Sequence, residues 1–298
     1  ELTKNWVKPD LAINFDAKDF LVELNKQLLR FEKPNVSSWF KRAKNWKSKY
    51  PIVLRQYYKQ KKSVNSYVFI KTLAQVLREN DIIFTDQGGN LTWTMQAFEV
   101  KDSQRLISAF GNSPMGYAFP ASIGAWFAKK KDRIICIEGD GGFQLNIQEL
   151  QTLKHYQVPV KLFVLNNHSY GIIKQFQEIY FDSRYEASVA KTGYTCPDFI
   201  KVATAYGIRT ASISTHQNLS KKIKEVLNKK GSVICDVELS KDQKLNPKLV
   251  AVKTPAGKYI SKPIEDQAPF LPRKEFLANM IIEPLKEKSG EKKSSEIN

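Results

Sequence analysis

From Ser66 onward the apolar residues fall into two alternating periods. Short β-branched and aliphatic runs at Asp81–Thr85, Arg133–Glu138, Val160–Leu165, Ile208–Ile213 and Ser232–Glu238 predict buried strands. Between them, helical spacing predicts helices over Tyr67–Asn80, Asn146–Tyr156 and Asn218–Lys229. A further helix opens at Pro197, with Phe199, Val202, Ala203 and Tyr206 on one stripe. Strands and helices alternating in this way predict an α/β fold with a doubly wound, mostly parallel sheet flanked by helices. In such a sheet, ligands bind beyond the carboxyl ends of the strands, near the point where strand order reverses.

The chain outside this region has a different texture. Residues 17–31 place Phe20, Leu21, Leu24, Leu28 and Phe31 on one helix face, with Asp16 as N-cap and Pro34 as terminator. A short strand is predicted at Leu11–Phe15. One strand and one helix cannot bury a core, so residues 1–34 read as the end of a preceding, central domain. Residues 35–65 are basic and carry Trp39, Phe40, Trp46, Tyr57 and Tyr58, which predicts a helical linker. After Ser240 the period is lost, and Pro247, Pro255, Pro263, Pro269 and Pro272 punctuate an irregular extension packing over the domain. The tail from about residue 286 is rich in Lys, Glu and Ser and is expected to be disordered.

Composition narrows the class. At 298 residues and 42% hydrophobic content, the chain can bury a large core. It has no apolar run of bilayer length and no signal-peptide pattern, so no membrane partner is expected. It begins at Glu1 and is expected to be cut from a longer protein. Cys136 and Cys235 lie within apolar strands, as buried thiols do, and Cys196 is unclustered, which points to the reducing cytoplasm. The formal charge of +17 would suit a nucleic-acid binder. The lysines are dispersed, however, with local density only in Lys41–Lys62 and Lys286–Lys293. A solvated surface accounts for them, and no nucleic-acid partner is expected.

The chemistry concentrates at two strand ends. Gly139-Asp140-Gly141-Gly142 follows one apolar strand, and Asn166-Asn167 follows the next, 27 residues on from Asp140 to Asn167. That spacing allows one crossover, so a parallel sheet would bring both side chains to the same edge. A carboxylate and an amide oxygen are hard ligands, suited to Mg²⁺ or Ca²⁺ rather than Zn²⁺. Mg²⁺ usually completes its shell with phosphate oxygens and water, and glycines let backbone N–H groups approach a phosphate. Either motif alone is ordinary turn chemistry; the joint occurrence describes a metal-bridged diphosphate site. There is no G-x-G-x-x-G and no G-x-x-x-x-G-K-[ST] loop. His155, His168 and His216 lack metal-ligand spacing, and His168, next to Asn167, reads either as facing the site or as a loop histidine bonded to backbone or solvent.

At these residues the chain resembles the thiamine diphosphate (ThDP) enzyme superfamily, and within it the large subunit of acetolactate synthase. The resemblance is carried by Gly139-Asp140-Gly141 with Asn166-Asn167, by Phe143–Thr152, Pro159–Lys161 and Tyr170–Gln175, and by Met115–Ala125. It covers residues 66–240, which would be the diphosphate- and Mg²⁺-binding domain, and residues 10–31 resemble the end of that family's central domain. It implies that Asp140 and Asn167 bind Mg²⁺ by side chain and Ser169 by its carbonyl. Gly88, Asn90, Gly139, Gly141, Gly142 and Ile172 would surround the cofactor. Met115 would hold it bent, and Ser113 would offer a carbonyl to its aminopyrimidine.

Three departures accompany the resemblance. The family's catalytic glutamate lies in an amino-terminal pyrimidine domain absent from this chain, so the resemblance puts no catalytic residue here. Phe176 stands where these enzymes usually carry a tryptophan that selects the second substrate, and Asn90 replaces a usual histidine. The implied activity is decarboxylation of a 2-oxo acid such as pyruvate and transfer of its C2 unit to a second carbonyl. The implied partner is the missing amino-terminal domain, from the same or another chain, in a homodimer or tetramer. FAD is left open, because its usual domain is almost entirely missing. Two alternatives remain: another ThDP-dependent decarboxylase or carboligase, as in surface-sugar biosynthesis, and a non-catalytic truncated remnant.

Overall fold

The computed structural model describes residues 2, 8–129, 133–255 and 257–284. It divides into two compact units, residues 1–51 and 52–298. The first unit carries helices α1 (Ala17–Leu28) and α2 (Ser37–Lys49). Asp16 does cap α1, its carboxylate accepting from Lys18 N and Asp19 N. The strand predicted at Leu11–Phe15 does not form: an isolated segment has no neighbour to take its backbone hydrogen bonds, and Leu11 and Phe15 stand exposed.

The second unit runs α3 (Ser66–Val76), β1 (Ile82–Thr85), α4 (Gly89–Ala97), β2 (Arg105–Ile107), α5 (Ala118–Ala128), β3 (Ile134–Gly139), α6 (Asp140–Leu145), α7 (Glu149–His155), β4 (Lys161–Asn166), α8 (Gly171–Tyr180), α9 (Phe199–Ala205), β5 (Arg209–Ile213), α10 (Leu219–Asn228) and β6 (Val233–Glu238). The six strands form one sheet in the order β2-β1-β3-β4-β6-β5, with every pairing parallel. The chain leaves β1 for β2 on one side and returns to β3 on the other, so order reverses at β1.

Strand periodicity explains the two cores. Ile134 and Cys136 of β3 join one cluster, with Phe119, Phe143, Leu153 and Phe199 from α5, α6, α7 and α9. Ile135 and Ile137, pointing the other way, join a second cluster with Phe69, Trp93 and Ile223 from α3, α4 and α10. Both faces are covered, which is why the strands read as continuous apolar runs. Ile52, Val53 and Tyr57 also pack against the second cluster.

Some predicted boundaries move. The helix expected over Asn146–Tyr156 is α7, beginning at Glu149, and a separate helix, α6, precedes it from Asp140, so Gly139 to Gly142 wind directly from strand into helix instead of making a free turn. The helix after Tyr67 ends at Val76. The extension is more regular than its prolines suggest: it holds a small antiparallel hairpin, β7 (Ala251–Lys253) with β8 (Tyr259–Ser261), and a helix, α11 (Arg273–Asn279). The tail expected to be disordered lies outside the described residues.

One buried cation makes the fold pH-sensitive. Lys161 opens β4, is only 4% exposed, and donates to the carbonyls of Lys229 and Gly231 just beyond α10. Burial first, then the positive charges of Arg209, Arg133 and Lys229, push its ammonium down to about 8. A neutral amine keeps two N–H donors, enough for both carbonyls. The unfolded chain holds this proton to a higher pH, so it binds more protons between pH 8 and the ordinary lysine range, and stability rises with pH there. Denaturant titrations should show this gain for the native chain and a flatter curve for Lys161→Met. Parallel curves would mean that the buried charge is not penalised.

Candidate functional site

The carboxyl ends of β1, β3 and β4 open into one cleft of about 380 Å³. Its walls include Gly88, Asn90, Ser113, Met115, Gly139, Asp140, Gly141, Gly142, Asn167, Ser169 and Ile172, together with Gln87, Trp93 and Tyr170. Residues spread over 85 positions of sequence therefore converge where strand order reverses. Phe176 is not among them. It sits further along α8, 46% exposed, against the rings of Tyr180 and Phe181.

Around Asp140, three buried polar residues meet at the cleft wall. Register continues from the Gly139–Leu165 pair of β3 and β4, which carries Asp140 to the level of the Asn166-Asn167 turn. One Asp140 carboxylate oxygen accepts from Gly141 N at 2.9 Å and the other from Ser169 N at 3.2 Å. The Asn167 amide nitrogen donates to Ser169 Oγ at 2.9 Å, which leaves Asn167 Oδ1 as the free end. Asp140, Asn167 and Ser169 are each at most 4% exposed. Burial pushes the Asp140 carboxyl up to about 6, against the lowering pull of bonds from Gly141 N, the Tyr194 hydroxyl and Ser169 N. A carboxylate destabilised in this way gains most from a cation.

The donor set also bears on which cation fits. Among the described residues, no group of three or more His, Cys, Asp or Glu side chains could hold a metal ion by itself. One carboxylate and one amide match a hard ion that takes its remaining ligands from phosphate and water. Room for a diphosphate exists beside them. Gly88 adopts φ +81°, ψ −144°, closed to residues with a Cβ, and brings the start of α4 to the cleft without a side-chain cap. Helix α8 likewise begins at the cleft wall with no side-chain cap, so both helices direct first-turn N–H groups toward the cleft.

Two groups that the sequence did not single out build the floor. Asp86, directly after β1, accepts from Gly116 N at 2.9 Å and Ala118 N at 3.3 Å, and Glu138 of β3 accepts from Phe119 N at 2.8 Å. These two buried carboxyls thus hold the entry to α5, just beyond Met115. Burial, followed by the charge of and a hydrogen bond with Asp86, pushes the Glu138 carboxyl well up. The retained proton completes the pair, since Glu138 Oε2 has no other donor. Gly142 lies directly above: a Cβ there would come within 2.3 Å of Asp86 Oδ2 and 2.8 Å of Glu138 Oε2. The visible signals were a polar Asp86 ending an apolar strand and a charged Glu138 inside one.

Asn90 and His168 take other roles than a cleft-facing donor. Asn90 Nδ2 donates to Ile137 O at 3.2 Å, tying α4 to β3, while its oxygen faces Gly139. His168 turns away to Glu238, with Nε2 at 3.0 Å from both carboxylate oxygens, instead of bonding to backbone or solvent. Cys136 and Cys235 are free and buried, as expected of strand cysteines.

Comparison with known sequences agrees with this geometry. The model of the thiamine pyrophosphate enzyme, C-terminal TPP binding domain matches residues 86–237. The chain is 32% identical over 258 residues to an acetolactate synthase large subunit of Cyanidium caldarium, covering 85% of this chain and 43% of that protein. It is 33% identical over 259 residues to the corresponding subunit of Pyropia yezoensis (86% and 42%). Similarity to the mitochondrial acetolactate synthase catalytic subunit of Saccharomyces cerevisiae is 30% over 238 residues (79% and 34%). The chain thus spans less than half the length of these curated relatives.

Proposed function

Because the chain belongs to the thiamine pyrophosphate enzymes through their C-terminal TPP binding domain, we propose that it is the diphosphate-binding part of an acetolactate-synthase-like carboligase using ThDP and Mg²⁺. The observation that carries this reading is the cleft itself: Asp140 and the Asn167–Ser169 turn, linked by one hydrogen bond, face two uncapped helix starts. Asp140 and Asn167 would hold Mg²⁺ by side chain, with Ser169 contributing its carbonyl. The Gly88 turn and the first turn of α8 would receive the diphosphate. When bound, ThDP supplies the electron sink that lets a 2-oxo acid lose CO₂.

The chain's own residues then have limited duties. Asp140 must give up its proton to hold the metal. Met115 stands over Gly141, where an added Cβ would lie 3.2 Å from its Cε, and would shape the cofactor from below. Trp93 and Ile172 narrow the apolar wall. The glutamate that activates the cofactor would come from an amino-terminal pyrimidine domain, of this protein or a second chain, in a dimer or larger assembly. The likeness to acetolactate synthases supports pyruvate as donor. Phe176, exposed beyond the cleft wall, favours no particular acceptor.

The test is to supply the chain with ThDP, Mg²⁺ and pyruvate, alone and with the amino-terminal half of an acetolactate synthase large subunit. Saturable ThDP binding is expected in both cases, with acetolactate formed only in the second. Binding with release of a different product would favour another ThDP decarboxylase or carboligase. Absence of ThDP binding would overturn the assignment.

A further inference from the structure

At the opposite, amino-terminal edge of the sheet lies a second cleft of about 370 Å³, remote in the fold from Asp140. It is walled by Lys154, Gln157, Gly207, Arg209, Gly231 and Ser232. Three left-handed turns shape it: Gln157 at φ 53°, Gly207 at φ 68° and Gly231 at φ 66°. Each turn follows a helix (α7, α9 or α10) and precedes the next strand, so three connections close on one spot.

Lys154, Lys161 and Lys229, gathered here, have carbonyl partners and, among the described residues, no carboxylate. Lys154 Nζ donates to Gly207 O at 2.9 Å, Lys161 to the carbonyls of Lys229 and Gly231, and Lys229 Nζ to Thr210 O at 2.9 Å. Such bonds suit the negative ends of helices and explain why lysines occur at this edge. They satisfy N–H groups but leave the formal charges in place. Of the cations acting on Lys161, only Arg133 is neutralised, by its pair with Asp81 at 2.5 Å. The Arg209 guanidinium stands against Gly231, where an added Cβ would lie 2.7 Å from Nη2. Among the described residues it has no ion pair, and its forked donors remain unspent.

We propose that this cleft is a second anion site, which takes a small phosphate-bearing molecule through the Arg209 fork and Lys154. A guanidinium offers two parallel donors to a phosphate, and the lysine ammonium needs only a rotamer change to leave Gly207 O for a charged acceptor. Lys161 and Lys229, fixed on their carbonyls, add field without direct contact. The volume admits a phosphate with a modest organic group and excludes nothing smaller. This site does not depend on the ThDP assignment.

Inorganic phosphate is the probe, titrated into the full chain by calorimetry and thermal melting in EDTA, at ionic strength held constant with chloride. Saturable binding is expected, weakened at least about tenfold in Arg209→Ala and less in Arg209→Lys. Mg²⁺-dependent ThDP binding should be unchanged in both variants, which separates this site from the cleft at Asp140. Lys154→Ala, on the exposed side, gives a second weakening should Arg209→Ala melt early. Non-saturable stabilisation at matched ionic strength would overturn the proposal. So would phosphate binding that both alanine variants leave intact, or binding of duplex DNA that phosphate does not compete.

Discussion

Asp140→Ala is expected to weaken Mg²⁺-dependent ThDP binding by at least about a hundredfold, equivalent to about 3 kcal/mol, measured by calorimetric titration. It removes the charged member of a two-side-chain donor set, and Asn167 alone offers one neutral oxygen. Without Mg²⁺ the native chain and the variant should bind ThDP with similar, poor affinity. Asp140→Asn keeps an oxygen and should fall between them. The fold itself should not suffer at neutral pH. Burial already holds the Asp140 carboxyl up at about 6, so the folded apo chain gives up stability by ionising it, and alanine removes that penalty. A variant that melts normally yet no longer responds to Mg²⁺ supports the cation role. A variant that binds ThDP and Mg²⁺ as the native chain does would remove Asp140 from the site.

Asp86→Ala should be a folding defect, in contrast. Its two oxygens accept from Gly116 N and Ala118 N, both buried at the entry to α5. Removing one partner of a buried charged group typically costs about 3–5 kcal/mol, most of it from groups left unpaired. Denaturant unfolding should show a loss of that order, and Asp86→Asn should recover part of it through its single amide oxygen. The pH profile gives a second reading. Glu138 keeps its proton in the folded chain well above the ordinary glutamate range, chiefly through burial and then through Asp86. The folded state therefore binds more protons above that range, and this pair's stability declines as pH rises. Asp86→Ala removes one cause of the shift, so its decline should be shallower. Native-like stability in Asp86→Ala would show that α5 is held by other means.

Much of the site was legible because local rules determine it. Asp140 and Asn167 each follow an apolar run, successive parallel strands present equivalent ends at one edge, and the intervening length permits one crossover. Gly88 stood out only through the resemblance, yet it lines the same cleft. What escaped notice was Asp86, whose partners Gly116 and Ala118 lie 30 and 32 residues away. Its place at the end of an apolar strand is a local mark, but nothing local says which donors its carboxylate meets. Helices α4, α5 and α8 also went unpredicted. In α4 and α5 apolar residues lie all round the axis, which blurs the 3.6-residue period; α8 is clearly amphipathic, and its stripe was legible in the sequence.

Sequence alone determined five of the six strands of the parallel sheet, all but the short edge strand β2, together with the two strand ends bearing hard oxygen ligands and the N-cap at Asp16, because each depends on residues within a few positions of one another. Tertiary structure decided the rest. It wound Gly139 to Gly142 into a helix start, set a carboxyl pair beneath that turn, swung His168 out to Glu238 and gathered unopposed cations at the far edge. Those outcomes depend on burial and on charges brought together from distant parts of the chain. Neither quantity exists until the sheet has closed around them.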